Sequence, residues 1–266
     1  MRTALTQLLQ IEYPIIQGAM AWVSEHKLVA AVANAGATGV IALGGRDAEW
    51  TRNEIRACKE LTDKPFGVNL MLMAPNKDEL VDIIIEEKPA FVTLGAGNPV
   101  PYIKPFQDAG IKVIPVVPSL KLAKRIQDAG ADAMIIEGME AGGHIGTQTT
   151  MSLMENILPE ISIPVIVAGA IVDGRGLAAA LLMGAEGVQM GSRFLLAEEC
   201  QAHPNMKEAI INATDTDSVV TGLLSGHGGV RSLKNEFTKL MVLLRRKNAL
   251  KCLKVLTNVL LLMAML

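Results

Sequence analysis

Three ionisable side chains and four glycines share one stretch, Glu137-Gly138-Met139-Glu140-Ala141-Gly142-Gly143-His144-Ile145-Gly146. Gly138, Gly142, Gly143 and Gly146 permit a tight backbone path with φ > 0 and close approach to a ligand. Glu137, Glu140 and His144 put ionisable groups on the same path, where a proton could pass to or from a bound molecule. An ordinary imidazole titrates near neutral pH, which suits His144 to that work. A mobile surface loop with a solvated histidine has the same composition, so the neighbouring elements must decide between the two.

Those elements form a regular series. Short apolar runs occupy residues 15–17, 39–43, 66–71, 90–94, 112–117, 133–136, 164–168 and 187–190. Most are rich in Val and Ile without period-2 alternation, the pattern of strands buried on both faces. Helical patterns separate them at 26–35, 47–61, 77–87, 99–109, 119–129, 150–158 and 175–183. Several end in Ala-Gly or an equivalent, which suits a glycine C-cap. Residues 1–10 read as a short capped helix ahead of Pro14, with no signal-peptide core. Strands recurring roughly every 20–30 residues are βα units, and eight of them predict a (β/α)8 TIM barrel. A doubly wound open sheet is the rival, but the first βα turn lacks the G-x-G-x-x-G fingerprint. Residues 1–214 are expected to form the barrel and 215–266 a Gly-rich loop, with His227, followed by a helical tail.

A barrel places its chemistry at the C-terminal ends of its strands. Here those ends are Gln17-Gly18-Ala19-Met20-Ala21, Asn69, Gly95-Ala96-Gly97-Asn98, the Glu137 stretch, Ala168-Gly169-Ala170 and Gln189-Met190-Gly191-Ser192-Arg193. Glycines, small residues and amides dominate, which describes a ligand site lined by backbone. Gly169-Ala170 and Gly191-Ser192 follow strands seven and eight, where barrels commonly hold a phosphate on backbone N–H groups. Tight βα turns alone would explain one such pair; two at consecutive strand ends, beside the histidine loop, point to a ligand.

Other classes of function are disfavoured. A formal charge of −2 and 3% aromatic residues give no general attraction for nucleic acid and few stacking surfaces. Cys58, Cys200 and Cys252 match neither a disulfide framework nor a metal cluster, and the four histidines lack ligand spacing, so no metal is expected. No nucleophile elbow or P-loop is present. His26 is expected on a helix surface, and His203, before Pro204, as a loop-shaping or capping residue. The tail, 240–266, carries Arg245, Arg246, Lys247, Lys251 and Lys254 before an apolar run at 259–266, too short to span a bilayer. Together these features predict a cytoplasmic protein without a transmembrane segment.

In chain order, 14–21 (PIIQGAMA), 64–71 (KPFGVNLM), 95–99 (GAGNP), 137–146 (EGMEAGGHIG), 164–170 (PVIVAGA) and 188–194 (VQMGSRF) resemble the flavin-dependent nitronate monooxygenase / 2-nitropropane dioxygenase superfamily. Within it the chain looks most like the enoyl-acyl-carrier-protein reductase II branch, the FabK type, over roughly residues 1–239. The resemblance implies FMN at the strand ends and NADH or NADPH as co-substrate. Met20 and Ala21 would lie by the flavin ring, Asn69 at its polar edge, and Glu137, Gly142 and Gly143 along the ribityl and ring region. Ala168, Gly169, Ala170, Gly191 and Ser192 would hold the phosphate, Gly18, Gln189 and Met190 would also bind the cofactor, and His144 would face the substrate. The implied partner is an acyl-carrier protein bearing the enoyl substrate, and the implied assembly a homodimer.

Three departures stand out. Ala170 replaces a usual glycine, which leaves its backbone N–H available provided φ is negative; Ser192 replaces a common threonine; and 240–266 does not resemble the family's lid and dimer segment. Nitronate oxidation by O2, and a barrel without activity that acts through its C-terminal helix, are the alternatives.

Overall fold

The computed structural model describes residues 1–223 and 228–246; His227 and residues 247–266, including most of the predicted tail, lie outside the described residues. The chain opens with α1 (Ala4–Leu9), capped by a reciprocal Thr3–Thr6 box and ended by Gln10 in the left-handed region. There follow β1 (Ile15–Gln17), α2 (His26–Asn34), β2 (Thr38–Ala42), α3 (Ala48–Leu61), β3 (Gly67–Met71) and α4 (Lys77–Glu87). The second part of the barrel is β4 (Phe91–Gly95), α5 (Val100–Asp108), β5 (Lys112–Val117), α6 (Leu120–Asp128) and β6 (Met134–Glu137). After β6 come β7 (Gly143–Ile145), α7 (Thr150–Ile157), β8 (Val165–Ala168), α8 (Gly174–Leu182), β9 (Gly187–Met190) and α9 (Ser192–Leu195). The chain then adds α10 (Pro204–Ile211), β10 (Ser218–Thr221), β11 (Gly229–Leu233) and α11 (Glu236–Arg246).

The barrel closes in the order β1-β2-β3-β4-β5-β6-β8-β9, all neighbours parallel, with Gln17 opposite Met190 where β9 meets β1. The eight apolar runs and the helices between them are the expected ones, with ends moved by a residue or two. Helix starts follow their caps: the Asp47, Ser119, Thr149 and Asp173 side chains each accept from a first-turn N–H.

Two apolar layers hold the barrel. Outside the strands, Ile55, Ile84, Phe106, Ile126 and Leu153 pack from the helices onto Val68, Val92, Val113 and Val167. Inside, Ile16, Val40, Phe91, Ile114, Ile135 and Ile166 join Leu5 and Leu9, so α1 plugs the end opposite the strand C-termini. The plug is anchored by polar bonds to Glu186: Thr3 Oγ1 donates to its carbonyl at 2.7 Å and the Ala4 N–H to its carboxylate at 2.6 Å. Glycines on the strands make this fit possible. A Cβ on Gly67 would lie 2.5 Å from the Phe91 ring, and one on Gly187 2.4 Å from Leu5.

A second sheet, β10-β11-β7, is antiparallel and was not foreseen in the sequence. It joins the loop after β6 to residues 218–233, across the boundary expected at 214. The Gly-rich loop expected near 221–229 connects two of its strands. His26 differs from expectation as well. It opens α2, is half-buried, and pairs through Nδ1 with the buried Glu54 at 2.8 Å, so it joins two helices rather than lying free on a surface. His203 does cap a helix: its Nδ1 accepts from Asn205 N–H at the start of α10. No described helix is long and apolar enough to cross a membrane.

Candidate active site

The strand C-termini gather the predicted residues at one mouth of the barrel. On one side β1 and β9 meet: Gly18 N–H donates to Met190 O at 2.9 Å, and a Cβ on Gly18 would lie 2.9 Å from the Gln189 side chain. The same gap on Gly191 would be filled by the Met20 thioether at 3.6 Å. Met20 is fixed by its own N–H, which donates to Ser24 Oγ at 2.8 Å; that hydroxyl also receives the amide of buried Gln17. Ala21 follows, then Trp22 with φ +67, whose ring stacks on the Arg46 guanidinium at 4.3 Å. Trp50 stacks on the same guanidinium at 4.2 Å and Glu25 binds it at 2.7 Å, which locks the β1 and β2 loops together. Sequence reasoning passed over this clamp; the signal was two of the chain's few aromatics flanking one arginine.

Asn69 stands midway along β3 rather than at its end as the sequence suggested; it donates to Thr93 Oγ1 at 2.9 Å, which orients its amide and commits only the NH2 side. Beyond β4, Gly95 has nothing within 4 Å of where a Cβ would stand, and Gly142 and Gly143 are equally open.

The β6 and β8 ends form the other side. Glu137, half-buried at the end of β6, lies opposite Ala168 in register, and desolvation of its carboxyl pushes its pKa up to about 7. Gly138 N–H donates to Ala168 O at 3.1 Å, and Gly138 sits so tightly on α7 that a Cβ would be 2.0 Å from Thr150 Oγ1. Gly169, with φ +95, leaves 2.9 Å between its virtual Cβ and the same hydroxyl. Ala170 does not meet the condition of a negative φ: its φ is +61, so it occupies the left-handed region that its family's glycine would take without strain. Among the described residues, the N–H groups of Gly169, Ala170, Gly191 and Ser192 are not taken by loop or turn carbonyls, and α9 starts at Ser192.

The three ionisable groups of the glycine stretch have different fates. Glu140 turns back to α7, accepting from Thr150 N–H at 3.0 Å and Thr150 Oγ1 at 3.1 Å, a charge well placed at a helix N-terminus. It therefore fixes the loop and is not free for proton transfer. Glu137 stays at the mouth. His144 is exposed in β7, opposite Val230 of β11. Among the described residues no group of three or more His, Cys, Asp or Glu side chains is placed to hold a metal ion.

Fold and site together define a (β/α)8 barrel with a glycine-lined ligand cradle at its strand ends and a histidine loop beside it. Comparison with known proteins gives the family. The nitronate monooxygenase family model matches residues 2–82 and 76–260, running past the span of about 239 residues over which the sequence resemblance was seen. A probable nitronate monooxygenase of Staphylococcus saprophyticus is 36% identical over 88% of this chain and 79% of its own. The chain belongs to the nitronate monooxygenase family. A Rhodococcus jostii dehydrogenase acting on a hydroxy-methyl-oxo-octahydro-indene-carboxyl-CoA is 38% identical over 85% of this chain; the chain spans 64% of that relative's length. Among solved structures, FabK from Thermotoga maritima superposes with a TM-score of 0.92 at 46% identity, covering 97% of this chain and 82% of that one.

Proposed function

We propose that the protein is an FMN-dependent enoyl-acyl-carrier-protein reductase, and the observation that carries this reading is its likeness to FabK over nearly the whole described chain. The mouth fits a flavin mononucleotide. Open glycines at 95, 142 and 143 leave room for a flat ring, and Asn69 offers an amide oxygen. The free N–H groups at 169–170 and 191–192 suit a phosphate, as strand seven and eight ends of barrels do. Met20 and Met190 supply soft apolar contact.

Bound FMN would supply hydride storage, taken from NADH or NADPH and passed to the β-carbon of a trans-2-enoyl thioester. The chain's own side chains handle the rest. As hydride reaches the β-carbon, negative charge develops on the thioester oxygen and the α-carbon needs a proton. His144, on the exposed strand next to the open glycines, donates that proton or a hydrogen bond to the oxygen. Glu137, at the end of β6 with its carboxyl favoured in the protonated form, would offer a hydrogen bond to the cofactor's polar chain. Thr150 and Glu140 hold the loop that carries both. An acyl-carrier protein as substrate carrier and a homodimer complete the reading.

The test is direct. Purified protein should be yellow and should oxidise NADH when given crotonyl-CoA or crotonyl-acyl-carrier protein. Colourless protein that ignores added FMN would sink the proposal. The family match favours a second reading, oxidation of an alkyl nitronate by O2 with His144 as base; nitrite release without NADH would select it.

A further inference from the structure

We infer that Arg231 is the positioning residue for His144, a role that rests on the reading above only where turnover is concerned. β11 runs antiparallel to β7 with Gly143 opposite Arg231 and His144 opposite Val230. Cross-strand partners project to the same face and neighbours along a strand to opposite faces. Arg231 therefore shares a face with Gly143, which has no side chain to obstruct it, while His144 projects from the other. A Cβ on Gly143 would have open space around it, so the guanidinium has a free path along the loop.

That path ends at the start of the loop. Arg231 Nε donates to the Met139 carbonyl at 3.0 Å, 92 residues away in the chain, and Nη1 donates to Ser218 Oγ of β10 at 2.9 Å. Met139 N–H in turn donates to Gln148 O at 2.8 Å. One residue thus ties the loop twice. Its guanidinium holds the residue after Gly138, and its main chain pairs with the residue before His144. The segment between these anchors is already committed, because Glu140 is bound to Thr150. A charged donor to a carbonyl is among the stronger hydrogen bonds, so losing it loosens the near end of the loop while the β7–β11 pairing persists. An acid displaced by about 1 Å can lose about 100-fold in rate.

The experiment uses the full-length protein loaded with FMN and two readouts. The His144 ring signal is assigned in NMR spectra by its loss in His144→Gln. It should shift in Arg231→Met, shift less in Ser218→Ala, and move back in Arg231→Lys, while the His26 and His203 ring signals stay in place. In steady-state reduction of crotonyl-CoA, Arg231→Met should lower kcat about 10- to 100-fold, with KM for NADH within about twofold and FMN content unchanged. An unmoved His144 signal in both Arg231→Met and Ser218→Ala overturns the role. So does a change in all histidine signals with loss of FMN in both variants, which would mark Arg231 as a general fold residue. If the His144 signal responds as expected and the wild-type protein leaves crotonyl-CoA untouched, the positioning role stands and the reductase reading falls.

Discussion

At the scale of single residues, the barrel mouth separates ionisable groups that lie side by side in the chain. Glu140 serves α7, Glu137 is half-buried at a strand end, and His144 stays exposed on β7. His144→Ala should leave the protein's flavin colour unchanged and lower enoyl-thioester turnover by about 100-fold or more. Loss of colour together with turnover would instead make His144 part of the cofactor cradle. For Glu137 the sign of the pH effect follows from its raised pKa. Folding favours the protonated form, so its contribution to stability is full below pH 4.5 and lost as pH rises through about 7. Glu137→Gln keeps the neutral form at every pH. Thermal melts should show the variant gaining on the wild type between pH 5 and 8, by at most about 3 kcal/mol. Parallel melting curves across that range would show that the carboxyl is not held in an apolar setting. The ionisable types were legible in the sequence; their assignment was not, because Glu140 and Glu137 differ only in what folds against them.

Elements show where glycine is needed and where it is missing. Gly138→Ala would put a methyl 2.0 Å from Thr150 Oγ1 and 2.5 Å from its backbone nitrogen. Backbone cannot yield as a side-chain tip can, so the variant should lose about 1–3 kcal/mol and bind flavin more weakly. Urea melts and a flavin titration check both. Ala170 presents the opposite case. At φ +61 its methyl is strained, and Ala170→Gly should raise stability by about 0.5–1 kcal/mol without changing the loop, read as a shift in the urea midpoint at constant slope. A destabilised variant would mean that the methyl packs usefully. The barrel was readable because continuous Val- and Ile-rich runs alternate with amphipathic helical patterns at a steady spacing, although its strands have only three to six residues each. β7, β10 and β11 lie outside that repeat and mix glycine and polar residues into their runs; β7 consists of Gly143, His144 and Ile145.

For the whole molecule, the barrel is closed at one end by α1, and the proposed cofactor site lies at the other. Leu5 is fully buried among the inward residues of β1, β2 and β4 to β6. Leu5→Ala should therefore lower global stability by about 2–5 kcal/mol while leaving the far mouth intact, so flavin affinity at low temperature should be nearly unchanged. A variant that loses flavin in proportion to stability would show that the two ends are coupled. The sequence by itself determined the barrel, the glycines at its strand ends, and the side on which a ligand site is expected. Those features follow from local periodicity and from the rule that parallel strands need helical crossovers. Only the tertiary structure decided how the histidine loop is held. Its partners, Arg231 and Ser218 on β11 and β10 and Thr150 on α7, are set by pairings between segments that carry no local record of one another. A three-residue strand has no register of its own, and takes one only from the strand laid against it.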